Sequence, residues 1–489
     1  MEPLYTAEEM RAAEAGYEGA TIDLMERAGA AVAEAVVRRY PDARRTAVWC
    51  GTGANGGDGL VVARLLHQAG RHVELHLLGD PARLSGDSAE NLRRATGAGL
   101  ALADEPSGAD VVVDALFGTG FTGTPRREAA AVIEAVNEAG DPVVSVDVPS
   151  GVDASTGRVD GSAVRATATV TFHGRKIGLA VAPGRFHAGA VEVADIGIEH
   201  VTTAVAAATP SFLDEIPRRR PSDNKYSAGA VVVVGGARGT AGAPCLTSLA
   251  ALRAGAGIVF ACVPNAIAAV AEHHLLEVMV RPGTDDRDGR LAPDAVDLIV
   301  GLAGRAGAVA LGPGLGRSEG TRELVRLLLE RLELPVVLDA DGLWALTGNL
   351  GWVFARQAPT VLTPHSGELA RLLGRDSARI DARRLDAART GADETGAVLL
   401  LKGADTIVAA PGRETRIADL GNPGLATAGS GDVLTGIVAA FLAKGMEPEL
   451  AALAAAAAQG CAANDAATQG GWAGMIAGDV VAALSRTLS

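Results

Sequence analysis

The chain has 489 residues, of which 48% are hydrophobic and 21% are charged, and its formal net charge is −14. This length exceeds what one ordinary hydrophobic core supports, so we predict two globular domains. Acidic residues outnumber basic ones on both sides of residue 210, by 28 to 18 before it and by 30 to 26 after it. Neither part therefore offers the basic surface that a nucleic-acid-binding protein needs.

The cysteines and the apolar segments indicate a cytoplasmic protein with no membrane partner. The four cysteines lie far apart and form no Cys-x-x-Cys motif, as expected for reduced, buried thiols. The amino-terminal segment is acidic rather than signal-like. No uncharged apolar run reaches the length that spans a bilayer.

Strand and helix patterns alternate along the first part of the chain. The predicted strands are 46–50, 72–78, 111–116 and 143–148, and the predicted helices are 60–69 and 129–139. Such alternation is typical of βαβ units, in which parallel strands are covered by helices on both faces. We therefore predict an α/β fold for this part.

A glycine-rich loop follows the first of these strands. Residues 51–56 satisfy the pattern Gly-x-Gly-x-x-Gly between a strand and a helix, which is formally a dinucleotide-binding fingerprint. Asp58 comes directly afterwards, although a pyrophosphate at this helix start needs a positive potential. The loop therefore does not favour an ordinary dinucleotide cofactor site.

Polar side chains follow several strands of the predicted sheet. Asp114 and Asp147 stand near the ends of two strands, and Ser150 follows closely. Because the carboxyl ends of parallel strands meet at one edge, we expect them to converge with Asn55 and Asp58. Such a set of oxygens suits a hard cation or proton transfer. Alternatively, each aspartate alone caps the next helix; for the set together, the sequence favours a site.

These segments resemble a known family. Residues 55–59, 114–120 and 147–151 together look like the NAD(P)H-hydrate epimerase domain, over roughly residues 1–200. The resemblance implies a Rossmann-like three-layer sandwich spanning 1–210. It also implies a potassium ion held by Asn55, Asp114 and Ser150, and a catalytic role for Asp147.

The same resemblance implies a set of residues that line the hydrated nicotinamide: Ala54, Asn55, Gly56, Gly57, Asp58, Gly118, Thr119, Gly120, Phe121, Thr122, Gly123, Thr124 and Asp147. Many members of the family have asparagine where this chain has Ala54. Lys176 lies in a segment that recurs in the family, but the sequence assigns it no role.

The alternation is interrupted between residues 202 and 228, where prolines flank Arg218–Arg220. We place the domain junction near residue 210. A second series of strands follows, at 230–234, 309–311, 336–338, 361–362 and 398–401, each leading into a loop with glycine or polar residues. These loops are expected to share one cleft at the carboxyl edge of a parallel sheet.

The sequence Ala-Gly-Ser-Gly-Asp-Val-Leu-Thr-Gly at 428–436 leads into an apolar helical run, 433–443. Such a loop presents free backbone N–H groups to an anion. A carboxylate there is repulsive unless it has a function, such as taking the proton of a hydroxyl that is to be phosphorylated. Alternatively, Asp432 only stabilises the helix dipole.

The second part resembles the ribokinase-like fold, specifically the ADP-dependent NAD(P)H-hydrate dehydratase branch, over nearly all of 212–489. Five ordered motifs carry the resemblance: 235–257, 311–316, 363–368, 401–404 and 429–432. We therefore assign 211–489 to a dehydratase domain. The resemblance implies that the adenine nucleotide is held by Lys402, Gly403, Ala404, Asp405, Thr406 and Gly431, and that the hydrated dinucleotide is faced by Ala243, Gly314, His365 and Asp432.

The residues themselves leave alternatives open at three of these loops. His365 also fits a loop histidine, and Lys402 also fits a solvated strand end. Asp339 and Asp341 also fit turn residues.

Together the resemblances imply a bifunctional repair enzyme. The first domain would interconvert the R and S hydrates of NADH and NADPH, and Asp432 of the second would start an ADP- and Mg²⁺-dependent dehydration of the S hydrate, with K⁺ bound in the first domain. Two alternatives remain: an ATP-dependent kinase for a vitamin precursor or sugar, and a first domain that is a non-catalytic binding module. We expect small-molecule partners only and a homo-oligomer.

Overall fold

The structure is a computed structural model that describes residues 1–103, 108–199 and 201–489. The chain forms two compact units: Pro3–Val205, and Ala206–Ser489 together with Met1–Glu2. The units divide at residues 205 and 206, whereas the sequence pattern placed the junction near residue 210.

The smaller unit is built around a six-stranded, wholly parallel sheet in the order β3-β2-β4-β5-β6-β7. The strands of this part of the chain are β1 (Glu2–Pro3), β2 (Arg45–Cys50), β3 (His72–Leu77), β4 (Val111–Ala115), β5 (Val143–Val146), β6 (Ala168–Phe172), β7 (Ala190–Ala194) and β8 (Val205–Ala207). The helices are α1 (Ala7–Ala15), α2 (Thr21–Arg39), α3 (Ala54–Gln68), α4 (Gly86–Gly97), α5 (Arg127–Ala139) and α6 (Arg185–Ala188).

The predicted strands are confirmed as β2 to β5, but the predicted helix 60–69 begins earlier, at Ala54. The sequence pattern did not predict this first turn because it is rich in glycine, which is a poor helix former. The role of these glycines is close approach: a Cβ at Gly56 would stand 1.8 Å from the Gly51 carbonyl oxygen, and one at Gly59 would stand 2.5 Å from the Ala115 Cβ. Helix α3 therefore lies directly on β2 and β4 because glycine occupies these positions.

Strand order places the ligand crevice of this unit. The chain runs from β2 to β3 and then back to β4 on the other side of β2, so the order reverses between β2 and β4. In open parallel sheets, ligands bind beyond the carboxyl ends of the strands at such a reversal. The loops after β2 and β4, which carry the glycine-rich motif and Asp114, flank this point.

The larger unit contains a longer sheet in the order β11-β10-β9-β12-β13-β14-β15-β16-β17, continued by β8 and β1. In this spatial order, neighbouring strands from β11 to β15 pair in parallel. The pairs β15–β16 and β16–β17 are antiparallel. The strands are β9 (Ala230–Val234), β10 (Ile258–Pro264), β11 (Met279–Gly283), β12 (Ala308–Leu311), β13 (Val336–Leu338), β14 (Thr360–Leu362), β15 (Val398–Leu401), β16 (Thr406–Ala409) and β17 (Thr415–Ala418).

The helices of the larger unit are α7 (Gly242–Arg253), α8 (Asn265–His274), α9 (Val296–Ala303), α10 (Glu319–Arg331), α11 (Asp341–Ala345), α12 (Gly351–Phe354), α13 (Ser366–Leu373), α14 (Ser377–Ala382), α15 (Arg384–Thr395), α16 (Ser430–Ala443), α17 (Pro448–Gly470) and α18 (Ala477–Thr487). Helices α16 and α17 supply much of the core: residues 433–442 and 451–458 are all buried. The order of the sheet reverses between β9 and β12, which marks this unit's crevice.

Among the described residues, no helix is both long and apolar enough to cross a membrane. All four cysteines are free. Cys50, Cys245 and Cys262 are buried as predicted, whereas Cys461 is only partly buried.

Candidate active sites

In the smaller unit, Asp114 is the centre of a buried hydrogen-bond network. Its Oδ2 accepts from the Ser145 hydroxyl (2.8 Å) and the Ser150 amide (2.9 Å), and its Oδ1 accepts from the Ser150 hydroxyl (2.5 Å). Burial raises the pKa of Asp114, although the hydrogen bonds from Ser150 and Ser145 oppose the shift. The helix-capping interpretation of this aspartate is wrong, because the next helix, α5, begins after Arg126 without a side-chain cap.

The Asn55 side chain lies beside the loop after β4. A Cβ at Gly118 would lie 2.8 Å from the Asn55 side-chain oxygen, so a larger residue there would displace the Asn55 side chain. The Asn55 Nδ2 is buried and has no hydrogen-bond partner among the described residues. The Phe117 amide, one residue earlier, donates to the Ser150 hydroxyl (2.9 Å). Asn55, Asp114 and Ser150 therefore border the same short loop.

Asp147 stands apart from that network and has a different partner. Its Oδ1 accepts from the Lys176 ammonium (2.5 Å) and from the Thr171 hydroxyl (3.0 Å), so it does not cap a helix either. The residue has φ = +65°, a left-handed conformation that non-glycine residues adopt at a cost and that clusters at functional sites.

Two further carboxyl groups, those of Asp58 and Glu14, interact electrostatically with Asp147. The pKa of Asp58 is raised well above its usual value, first by burial and then by the negative charges of Asp147 and Glu14, with Lys176 opposing. Burial and the charge of Asp147 also raise the pKa of Glu14. Glu14, at the end of α1, was missed by the sequence analysis because nothing in its local pattern distinguishes it from a solvated helix residue.

The remaining residues of the implied substrate set divide into packed and exposed positions. Gly56 and Gly57 are buried and make room for backbone and side chains behind α3. Phe121 stacks on Phe117 with ring centroids 4.9 Å apart. The exposed members are Ala54, Gly120, Thr122, Gly123 and Thr124, and Thr119 is partly exposed.

In the larger unit, helix α16 begins directly after Gly429, whose φ is +88°. Asp432 lies in the first turn of this helix. Its pKa is raised to about 7, first by burial and then by the carboxylate of Asp339; Lys402 opposes this shift and Asp341 adds to it. A carboxyl group with a pKa near neutrality is suited to proton transfer.

Asp339 links three loops of this site. Only 2% of it is exposed. Its Oδ1 accepts from Lys402 (2.8 Å) and Thr363 (2.9 Å), and its Oδ2 accepts from Thr435 of α16 (2.9 Å). It is therefore more than a turn residue, and Ala340 after it is held at φ = +49°. Asp341 accepts from the Gly316 amide (2.9 Å), 25 residues away, and so holds the loop after β12 in place.

Lys402 is not a solvated strand end, because its ammonium is bound to Asp339. Burial lowers its pKa, but the carboxylates of Asp339 and Glu368 raise it more, so the net shift is upward. A Cβ at Gly431 would lie 3.3 Å from the Lys402 Nζ. The structure thus brings together two residues implied to bind the nucleotide.

Ala243 and Gly314, both implied to face the substrate, also lie together. Gly314 has φ = +66°, and a Cβ on it would stand 3.1 Å from that of Ala243. The Thr240 hydroxyl donates to the Gly314 carbonyl (2.7 Å). His365 caps α13: its Nδ1 accepts from the Gly367 amide (3.0 Å). Because 60% of the His365 side chain remains exposed, the ring is accessible to a ligand.

Asp405, implied to bind nucleotide, is buried and held by Arg384, whose Nε donates to both of its carboxylate oxygens (2.9 and 3.0 Å). Arg384 also donates to the Ser366 hydroxyl (3.0 Å) and the Lys402 carbonyl (3.1 Å). A Cβ at Gly403 would stand 2.2 Å from the guanidinium. The Asp405 side chain therefore shapes this loop, leaving Gly403 and Ala404 exposed. No motif in the sequence pointed to Arg384.

Comparison with known proteins identifies the family. Residues 231–486 match the family model for NAD(P)H-hydrate dehydratase, and residues 21–178 match that for the YjeF-related protein N-terminus. The bifunctional NAD(P)H-hydrate repair enzyme Nnr of Moorella thermoacetica is 42% identical over 98% of this chain and 95% of its own length. The Escherichia coli protein of that name is 35% identical over 96% and 89%, respectively.

A solved structure supports the fold. A ribokinase-like superfamily protein from Enterococcus faecalis matches 59% of this chain and 97% of its own with a TM-score of 0.51 and 23% identity. The predicted ribokinase-like architecture is thereby confirmed. The chain belongs to the family of bifunctional NAD(P)H-hydrate repair enzymes.

Proposed function

We propose that the two units catalyse successive steps in the repair of hydrated NADH and NADPH. The smaller unit interconverts the R and S hydrates, and the larger unit uses ADP to dehydrate the S hydrate, yielding NAD(P)H, AMP and phosphate. The observation that carries this proposal is the environment of Asp432, a carboxyl group with a pKa of about 7 at the start of α16, beside Lys402 and Gly431.

In the larger unit, Asp432 takes the proton of the ring hydroxyl, and the hydroxyl oxygen attacks the β-phosphorus of ADP. The bond from that phosphorus to the bridging oxygen breaks, and AMP leaves with the bond's electron pair. The phosphorylated ring then loses a proton and inorganic phosphate, which restores the double bond. Phosphorylation thus replaces hydroxide, a very poor leaving group, by phosphate.

The loops around Asp432 supply positive charge and N–H donors for the nucleotide. Lys402 offers a point charge next to the backbone of Gly431, and the start of a helix such as α16 attracts an anion through its free backbone N–H groups. Asp339 and Asp341 are already occupied by protein donors, so Mg²⁺ fits mainly through the phosphate oxygens of ADP. When bound there, it would neutralise charge on the transferred phosphoryl group.

In the smaller unit, Asp147 is the candidate base and Asp58 the candidate acid, since the raised pKa of Asp58 favours its protonated form. Among the described residues, no group of three or more His, Cys, Asp and Glu is placed to hold a metal. The family resemblance implies a potassium ion held by Asn55, Asp114 and Ser150, and oxygen ligands of this kind suit a hard cation. Such an ion would supply a fixed positive charge beside the loop after β4.

The assay mixes the full chain with both epimers, ADP and Mg²⁺ and follows the near-ultraviolet absorbance of the reduced nicotinamide ring together with AMP and phosphate. Complete conversion of both epimers, with one AMP and one phosphate per NAD(P)H, is expected. A stable phosphorylated product without AMP would contradict the proposed dehydration, and conversion of the S epimer alone would contradict the proposed epimerisation.

A further inference from the structure

Lys176 is a buried cation whose hydrogen bonds all lie within the smaller unit. Only 1% of it is exposed. Its Nζ donates to Asp147 Oδ1 (2.5 Å), to the Phe172 carbonyl (2.8 Å) and to the Thr171 hydroxyl (2.9 Å). An ammonium group has three donors, so all of them are used and none remains for a substrate.

The same contacts fix one oxygen of Asp147. Oδ1 accepts from both Lys176 and Thr171, and the Thr171 hydroxyl in turn accepts from Lys176. Among the described residues, no hydrogen bond is made to Oδ2. The carboxylate is therefore anchored on one side, and its second oxygen stays available to a ligand.

A purely structural explanation of this pair is weak. Burying a lysine and an aspartate together costs desolvation of both, and well-packed apolar side chains of similar volume often stabilise a fold at least as well. The left-handed backbone of Asp147 adds strain at the same residue. A buried pair and a strained backbone at one position indicate that the orientation of Asp147 matters.

We propose that Lys176 is a positioning residue for hydrate epimerisation: it holds the Asp147 carboxylate in place through Oδ1, so that Oδ2 is the oxygen that exchanges the proton with the substrate. This inference rests on the proposed epimerase function of the smaller unit. The carboxyl groups of Asp58 on α3 and Glu14 on α1 interact electrostatically with Asp147 and, with the opposite sign, with Lys176.

The test compares R-to-S exchange in the wild type, in Lys176→Met and in a control, Lys225→Met, which replaces an exposed lysine of the other unit. In Lys176→Met, kcat is expected to fall by about 100-fold, a loss of the size that general-base catalysis contributes. KM is expected to change little. The control should behave as the wild type.

A second variant keeps the test decisive if Lys176→Met does not fold. Thr171→Val keeps the shape of a buried side chain and removes one hydrogen bond to Oδ1; a fall in kcat of about 10-fold is expected. Absence of exchange in the wild type would refute the epimerase assignment itself. Exchange in the wild type with an unchanged kcat in folded Lys176→Met, or an unchanged kcat in Thr171→Val, would overturn the role of Lys176 alone.

Discussion

The two units place an aspartate at the carboxyl edge of a parallel sheet but give it opposite surroundings. In the smaller unit, Lys176 bonds directly to Asp147. In the larger unit, the nearby Lys402 bonds to Asp339 instead, and the pKa of Asp432 rises to about 7. The two lysines therefore differ in their partner: Lys176 bonds to the candidate base itself, whereas Lys402 bonds to a neighbour of the candidate base.

This contrast suits the two proposed reactions. The ammonium of Lys176 holds one oxygen of the Asp147 carboxylate in place and leaves the other available to a substrate. A carboxyl group with a pKa near 7 can accept a proton and release it again near neutral pH. Each reaction can then be altered by changing one unit's aspartate without touching the other.

The largest expected effect comes from Asp432→Asn. The amide cannot accept the hydroxyl proton, so S-hydrate dehydration should fall by about 1,000-fold. R-to-S exchange should stay near the wild-type rate, which chiral separation of the epimers measures. Loss of both activities in a folded variant would contradict the division of labour between the units.

A somewhat smaller effect is expected from Asp147→Ala. Removing the candidate base should slow R-to-S exchange by about 100-fold, while pure S hydrate should be dehydrated at the wild-type rate. The same preparation provides both measurements, so the dehydration rate is the internal control for folding of the larger unit. Unchanged exchange would remove Asp147 from the mechanism.

The smallest effect, and the sharpest test of the contrast, comes from Asp339→Asn. This variant removes a negative charge that raises the pKa of Asp432 and releases Lys402 from its ion pair. Both changes favour ionised Asp432, so its pKa should fall and the midpoint of the dehydration profile should move to lower pH. Thr363→Val is the matched control: it removes a neutral donor to Asp339 and should shift the midpoint less.

Much of the fold follows from local patterns in the chain. The buried strands β9, β12 and β13 are runs of valine, alanine and leucine, as parallel strands covered on both faces should be, and they lie where the patterns predicted. Strands β6 and β7 were missed. Strand β6 carries threonines in its interior. No strand was predicted between the loop after β5 and residue 230.

The residues proposed to bind a ligand were easier to recognise in the sequence than those that hold them in place. The glycines, Asp114 and Asp432 stand in loops with recognisable spacing, whereas Lys176 and Arg384 act on residues 29 and 21 positions away. Such contacts depend on tertiary packing, which no local pattern encodes. Within the smaller unit, the one available signal for Lys176 was a charged side chain directly before the buried run 177–182.

The central claim is most directly tested by the pH dependence of kcat/KM for pure S hydrate at saturating ADP and Mg²⁺. The account predicts a rate that rises with pH to a plateau, with its midpoint near the pKa of about 7 assigned to Asp432, because only the ionised carboxylate accepts the hydroxyl proton. A rate that stays constant from roughly pH 5 to 9 would contradict it, since a carboxyl group in this environment must titrate within that range.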